Sequence, residues 1–181
     1  MSANEFDGVL PYEYEPLDLT GHQIRLMKLE ATPGTLAIKC RIVTSSLADA
    51  PPYIALSYTW GEPRPMHFVW LNERVVIVRE NLFHFLLAFR NSTENTVHLW
   101  IDQICIDQSN VVERNQQVAQ MRNIYRKSTL VISWLGQKKS DVEAAQAFQL
   151  TRDTKLLKVL AFNDYFTRIW IVQEILLAPE L

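Results

Sequence analysis

The 181-residue chain lacks most of the features that would decide its chemistry at a glance. It has two cysteines, Cys40 and Cys105, and no CxxC pair, so no disulfide framework is expected and a reducing compartment fits best. Its four histidines, His22, His67, His84 and His98, show no metal-ligand spacing, and no metal site is expected. No apolar run reaches the roughly 18 residues of a membrane-spanning helix. The amino-terminal MSANEFDGVLPYEYEP is acidic and has no apolar core of a signal peptide, which points to the cytoplasm. Charge of one sign is also missing: the formal net charge is −2 with acids and bases interleaved. That balance gives no sign of a nucleic-acid surface or a polybasic membrane patch. There is no GxGxxG, no P-loop and no GxSxG.

What remains is an ordinary globular composition, 48% apolar and 21% charged, in a chain long enough for one domain with a substantial core. A Pro-, Tyr- and Glu-rich arm over residues 1–20 precedes QIRLMKLE (23–30) and TLAIKCRIV (35–43), which flank a TPG turn and read as a hairpin. YIALSY (53–58) reads as a buried strand followed by the turn TWGEPRP. MHFVWLNERVVIV suggests a second hairpin turning near Asn72-Glu73. In ENLFHFLLAFR (80–90), Leu82, Phe85, Leu86 and Phe89 recur at helical spacing. VHLWIDQICI (97–106) and TLVISWLG (129–136) read as further buried strands. Between them a helix is expected over 111–127, with Asn110 and Glu113 at capping-box spacing and Val118, Met121 and Tyr125 as its apolar stripe. Its basic positions, Arg114, Arg122, Arg126 and Lys127, read as a solvated face. Residues 137–164 are polar and helix-prone, and a last helix carries YFTRIWIVQEILLA. Apolar strands alternating with helices predict an α/β fold with a mainly parallel sheet, the hairpins being additional antiparallel elements. A single domain is expected over 1–181, divided into the arm and first hairpin (1–50) and an α/β core (51–178).

In such sheets ligands sit at the carboxyl ends of the strands, where this sequence places SYTWGE, DQICIDQ and SWLG. On the last helix, Thr167, Trp170, Ile171, Glu174 and Leu177 share a face. A carboxylate beside Trp170 in an apolar helix suits a sugar ring or nucleotide, the acid holding a hydroxyl. The structural alternative is that Glu174 caps backbone donors or pairs with an arginine such as Arg168. Asp102 and Asp107 could hold a metal only if the chain turns between them; otherwise they cap the next helix and hold its loop. Cys105 has no histidine close in sequence to activate it except His98, which argues against a nucleophile. Trp60 could stack on a ligand, with Gly61 supplying the turn beside it, or plug the core.

Three blocks together, YIALSYTWGE, LWIDQICIDQSNVVERNQQVAQMRNIYRKSTLVISWLG and YFTRIWIVQEILLA, resemble those of the fungal heterokaryon-incompatibility (HET) domain, over roughly residues 12–178. Asp107 stands where that family favours Asn. The resemblance implies programmed cell death triggered when genetically different fungal cells fuse, and a distantly TIR-like (flavodoxin-like) fold. Some TIR domains hydrolyse NAD with the glutamate of a W-x-x-x-E-[IL] signature. Trp170-Ile171-Val172-Gln173-Glu174-Ile175 is similar to it, which makes Glu174 the catalytic candidate. Tyr58, Trp60, Gly61, Asp102 and Trp170 become candidates for the nucleotide pocket. About 30 residues separate LVISWLG from this glutamate, far more than in TIR domains.

Cleaving the nicotinamide–ribose bond passes through an oxocarbenium-like transition state, which a carboxylate on the ribose hydroxyls stabilises. The resemblance implies no resident cofactor, NAD or a related nucleotide as substrate, a homo-oligomer, and an upstream nonself-recognition protein as partner. Two other readings stand beside the enzyme. One is a non-enzymatic death-signalling module in which Glu174 is buried and bonded. The other is a nucleotide sensor without turnover.

Overall fold

The computed structural model describes residues 8–31, 34–35, 37–93, 95–168 and Glu174. They form a seven-stranded mixed sheet flanked by helices, the α/β class expected. The strands are β1 (Gln23–Leu29), β2 (Lys39–Ser46), β3 (Tyr53–Tyr58), β4 (Met66–Leu71), β5 (Arg74–Arg79), β6 (His98–Trp100) and β7 (Leu130–Trp134). Their spatial order is β5-β4-β2-β1-β6-β3-β7. β3 runs parallel to β6 and β7, and β2 runs parallel to β4. The β1–β2, β1–β6 and β4–β5 ladders are antiparallel. Both hairpins thus belong to the one sheet, and β1 lies between β2 and β6.

β3 forms because a run apolar at every position but Ser57 suits a strand covered on both faces, and all six of its residues are buried. Between β4 and β5, Asn72 and Glu73 both take positive φ, 48° and 64°. That is the left-handed pair a two-residue hairpin turn demands, and Glu rarely supplies half of it. α1 (Glu80–Phe89) buries Leu82, Phe85, Leu86 and Phe89, the stripe read from the sequence. α3 (Val111–Lys127) starts where expected, Asn110 Oδ1 accepting the amides of Val112 and Glu113 at 3.1 Å each. Met121 and Tyr125 are buried beneath it, and Val118 packs against the core.

Two expectations need correction. The strand read over 97–106 ends at Trp100, and residues Asp102–Cys105 form a single helical turn, α2. An apolar run alone does not separate strand from buried helix. The last helix does not begin at Tyr165: Asp164–Thr167 is a 3₁₀ turn and Arg168 is extended, so Thr167 is not on the helix of Glu174. Residues 137–164 supply α4 (Lys139–Thr151) and α5 (Leu156–Ala161). Asn163 anchors their return, its Nδ2 donating to Leu135 O at 2.9 Å and to the buried Asp141 Oδ2 at 2.5 Å. Among the described residues, no helix is long and apolar enough to cross a membrane.

The capping box at α3 is only half formed. Glu113 instead turns inward to Arg25 on β1, at 2.5 and 3.0 Å, both side chains being about 2% exposed. Arg25 also donates to Cys105 O and Glu15 O, and Glu113 accepts the Asp107 amide at 2.8 Å. One buried pair therefore ties the arm, β1, α2 and α3 together. Removing one partner leaves an uncompensated buried charge. Glu113→Ala is expected to lower stability by about 3–5 kcal/mol, read from the denaturant midpoint; a loss below about 1 kcal/mol would mean that the pair is dispensable.

Candidate functional site

Because β3, β6 and β7 are parallel, their carboxyl ends lie along one side of the sheet, where ligands collect in open α/β folds. There the loop after β3 faces α2, the start of α3 and Arg168. Between them is a cavity of about 440 Å³, lined by Thr59, Trp60, Gly61, Asp102 and Gln108, by Arg114, Val118 and Met121 of α3, and by Arg168. Trp60, Gly61 and Asp102, three of the residues singled out in the sequence, are brought together here. Trp60 Nε1 donates to Asp102 Oδ2 at 2.7 Å, and Arg79 lies over the Trp60 ring. Asp102 Oδ1 accepts the Gln103 amide at 2.7 Å. Tyr58 is wholly buried beneath, its hydroxyl 3.4 Å from Gln103 Oε1, so it is a wall of the core rather than a surface for stacking. Trp170 lies outside the described residues.

Burial raises the Asp102 carboxyl to about 6, against the donors Trp60 and Gln103, which favour its charged form; the charge of Glu174 adds to the rise. Asp107 does not share a site with it. The α2 turn intervenes, and Asp107 Oδ1 accepts from the Ser109 amide and hydroxyl, holding the loop before α3. Among the described residues, no cluster of His, Cys, Asp and Glu could hold a metal. Cys105 is fully buried and burial pushes its thiol up to about 12, so it has no nucleophilic character at neutral pH.

Glu174 has no exposure. Arg168 meets it with a two-pronged pair, Nη1 to Oε2 and Nη2 to Oε1, both at 2.7 Å. Ser57 Oγ also donates to Oε2 and receives Arg168 Nη1 at 3.2 Å. The Tyr165 hydroxyl lies 2.6 Å from Ser57 Oγ and 2.8 Å from Ser133 Oγ. Ser57 and Ser133 are register partners on β3 and β7, so this cluster sits across the parallel core. Burial would lower the Arg168 pKa, but the bonds and charge of Glu174 outweigh it, and the pKa rises. Of the two roles the sequence left open for Glu174, this arrangement matches the paired acid.

Sequence reasoning passed over Ser57, Tyr165 and Asn81. A hydroxyl inside an all-buried strand was the available signal for Ser57. Asn81 carried none: it works by bridging the loop after β3 and the end of β7, its Nδ2 donating to Thr59 O at 2.6 Å and its Oδ1 accepting Trp134 Nε1 at 2.9 Å. Gly61 and Gly136 flank it, both with positive φ, 71° and 91°, where a side chain would strain the backbone. A Cβ on Gly136 would stand 3.4 Å from Asn81 Oδ1.

Residues 53–158 match the family model described as heterokaryon incompatibility protein (HET). The match takes in β3 through the first half of α5 and stops short of Arg168 and Glu174. The chain is 32% identical over 141 aligned residues to heterokaryon incompatibility protein 6, OR allele, of Neurospora crassa, an alignment covering 69% of this chain. It spans 21% of the length of that relative. No solved structure matches the chain.

Asp102 gives the site a pH signature. Its pKa is raised on folding, so its contribution to stability is present below its ordinary 3.8 and is lost as pH rises through about 6. Asp102→Asn should therefore gain on the wild type in urea unfolding between about pH 4 and pH 7. A stability difference that stays flat across that window would mean that Asp102 titrates normally.

Proposed function

The chain belongs to the heterokaryon incompatibility (HET) family, and from that membership we propose that it is an effector of programmed cell death in fungal nonself recognition, acting in this conformation as a signalling module rather than as a hydrolase. The observation that carries the second half is the state of Glu174. Both its oxygens are taken by Arg168, a third bond comes from Ser57, and no part of it meets solvent. A carboxylate that stabilises an oxocarbenium-like ribose must reach the substrate. This one instead joins Arg168 to Ser57 of β3, beside the Tyr165 hydroxyl that reaches Ser133 of β7. In this reading partners are engaged through other surfaces, by self-association or by an upstream recognition protein.

NAD hydrolysis is the second reading, favoured by one feature: Arg168, the partner of Glu174, also lines the cavity that holds Trp60 and Asp102. Withdrawal of Arg168, for instance on self-association, would open a path from the cavity to the carboxylate.

The experiment is nicotinamide release from NAD by concentrated wild-type protein, with Glu174→Gln measured beside it. A signalling module gives no release from either, while Glu174→Gln unfolds more easily by about 3–5 kcal/mol because Arg168 is left unpaired. Release by the wild type that a folded Glu174→Gln lacks would reverse the assignment and make Glu174 catalytic.

A further inference from the structure

The cavity beside Trp60 is unevenly charged. Arg168 is matched by Glu174, and Asp102, the one acid among the described lining residues, has each oxygen engaged by a donor. Arg114 is different. Its side chain makes one hydrogen bond, Nη1 to Gln108 O at 3.0 Å, and no carboxylate among the described residues lies within ion-pair distance. A guanidinium carries five donors in a planar fork, so most of this one is unspent. Arg114 also sits in the first turns of the 17-residue α3, where the helix dipole adds positive potential. An uncompensated fork of this kind suits phosphate, which it can grip with two parallel bonds.

The remaining walls narrow the ligand further. Trp60 offers an aromatic surface, and Val118 and Met121 are apolar. Trp60, the Gln103 amide and the Tyr58 hydroxyl all donate to Asp102, which leaves its carboxylate one further lone-pair site for a ligand hydroxyl. A volume of about 440 Å³ falls in the range of small-molecule sites. We infer that this cavity binds a small phosphorylated compound bearing an aromatic ring and a hydroxyl, the chemistry of a nucleoside monophosphate. Arg114 is the phosphate ligand, Trp60 the ring wall and Asp102 the hydroxyl acceptor. The site goes beyond the signalling reading and does not depend on what Glu174 does.

The test is calorimetric titration of the whole chain with AMP, with adenosine and inorganic phosphate as separate arms. AMP is expected to bind, and adenosine and phosphate to bind at least about tenfold more weakly, because each lacks one of the anchors. Arg114→Gln should weaken AMP by about tenfold or more, with the thermal midpoint held, since its side chain is partly exposed and makes a single bond. Arg114→Lys, which keeps the charge but loses the fork, should fall between the two and serves if Arg114→Gln does not fold. No heat from AMP at millimolar concentration would overturn the assignment. So would AMP binding indifferent to both Arg114 variants, or inorganic phosphate binding as tightly as AMP. None of these results bears on nicotinamide release, so the two proposals fail separately.

Discussion

A charge with no exposure persists only when its partners replace the water it has lost, and Glu174 is a position where this protein meets that condition. Arg168 supplies a two-pronged pair and Ser57 a hydroxyl. The conformation of the carboxyl-terminal described segment follows from it. The chain leaves the helix pair α4–α5, is anchored at Asn163, turns through Asp164–Thr167 and extends at Arg168 so that the guanidinium reaches the carboxylate. Tyr165, dropped into the core on the way, bridges the two serines that face each other across β3 and β7. Residues 137–164 are thus the route that delivers three polar side chains to the end of the parallel core.

The pair of Arg25 and Glu113 repeats this logic on the other side of β3 in the strand order, where β1 abuts β6. It joins elements far apart in sequence, and backbone carbonyls absorb the donors left over. Around the cavity the constraint is the loops. Asn81 holds the loop after β3 to the end of β7, and two glycines in left-handed geometry let the chain approach it. Asn81 and Gly136 thus help to hold the walls without lining the cavity themselves, which favours preorganisation of the site.

Much of the scaffold could be read from residues because it depends on local pattern. The Asn72-Glu73 turn, the stripe of α1, the Asn110 cap and the buried run of β3 each rest on spacing within about ten residues. The reading failed where an apolar run was followed past its structural end, as after Trp100, and where a single residue chose a distant partner over a near one, as Glu113 did. The site divided along the same line. Trp60, Gly61 and Asp102 announced themselves by chemistry at strand ends. Asn81, Ser57, Tyr165 and the cavity role of Arg114 exist only once four separate segments have met, and Arg114 read simply as part of a solvated face.

The arm at the start of the described chain has its own part in the sheet. Leu10 and Tyr12 exchange backbone hydrogen bonds with Val75, laying the arm alongside β5 as a short parallel bridge at Pro11. The outermost strand therefore never presents a full row of bare amides and carbonyls, the template on which chains polymerise edge to edge. Order of synthesis strengthens this protection. The arm precedes β5 in the chain, so it has already been synthesised when β5 emerges and needs no later segment to cover the edge at Val75.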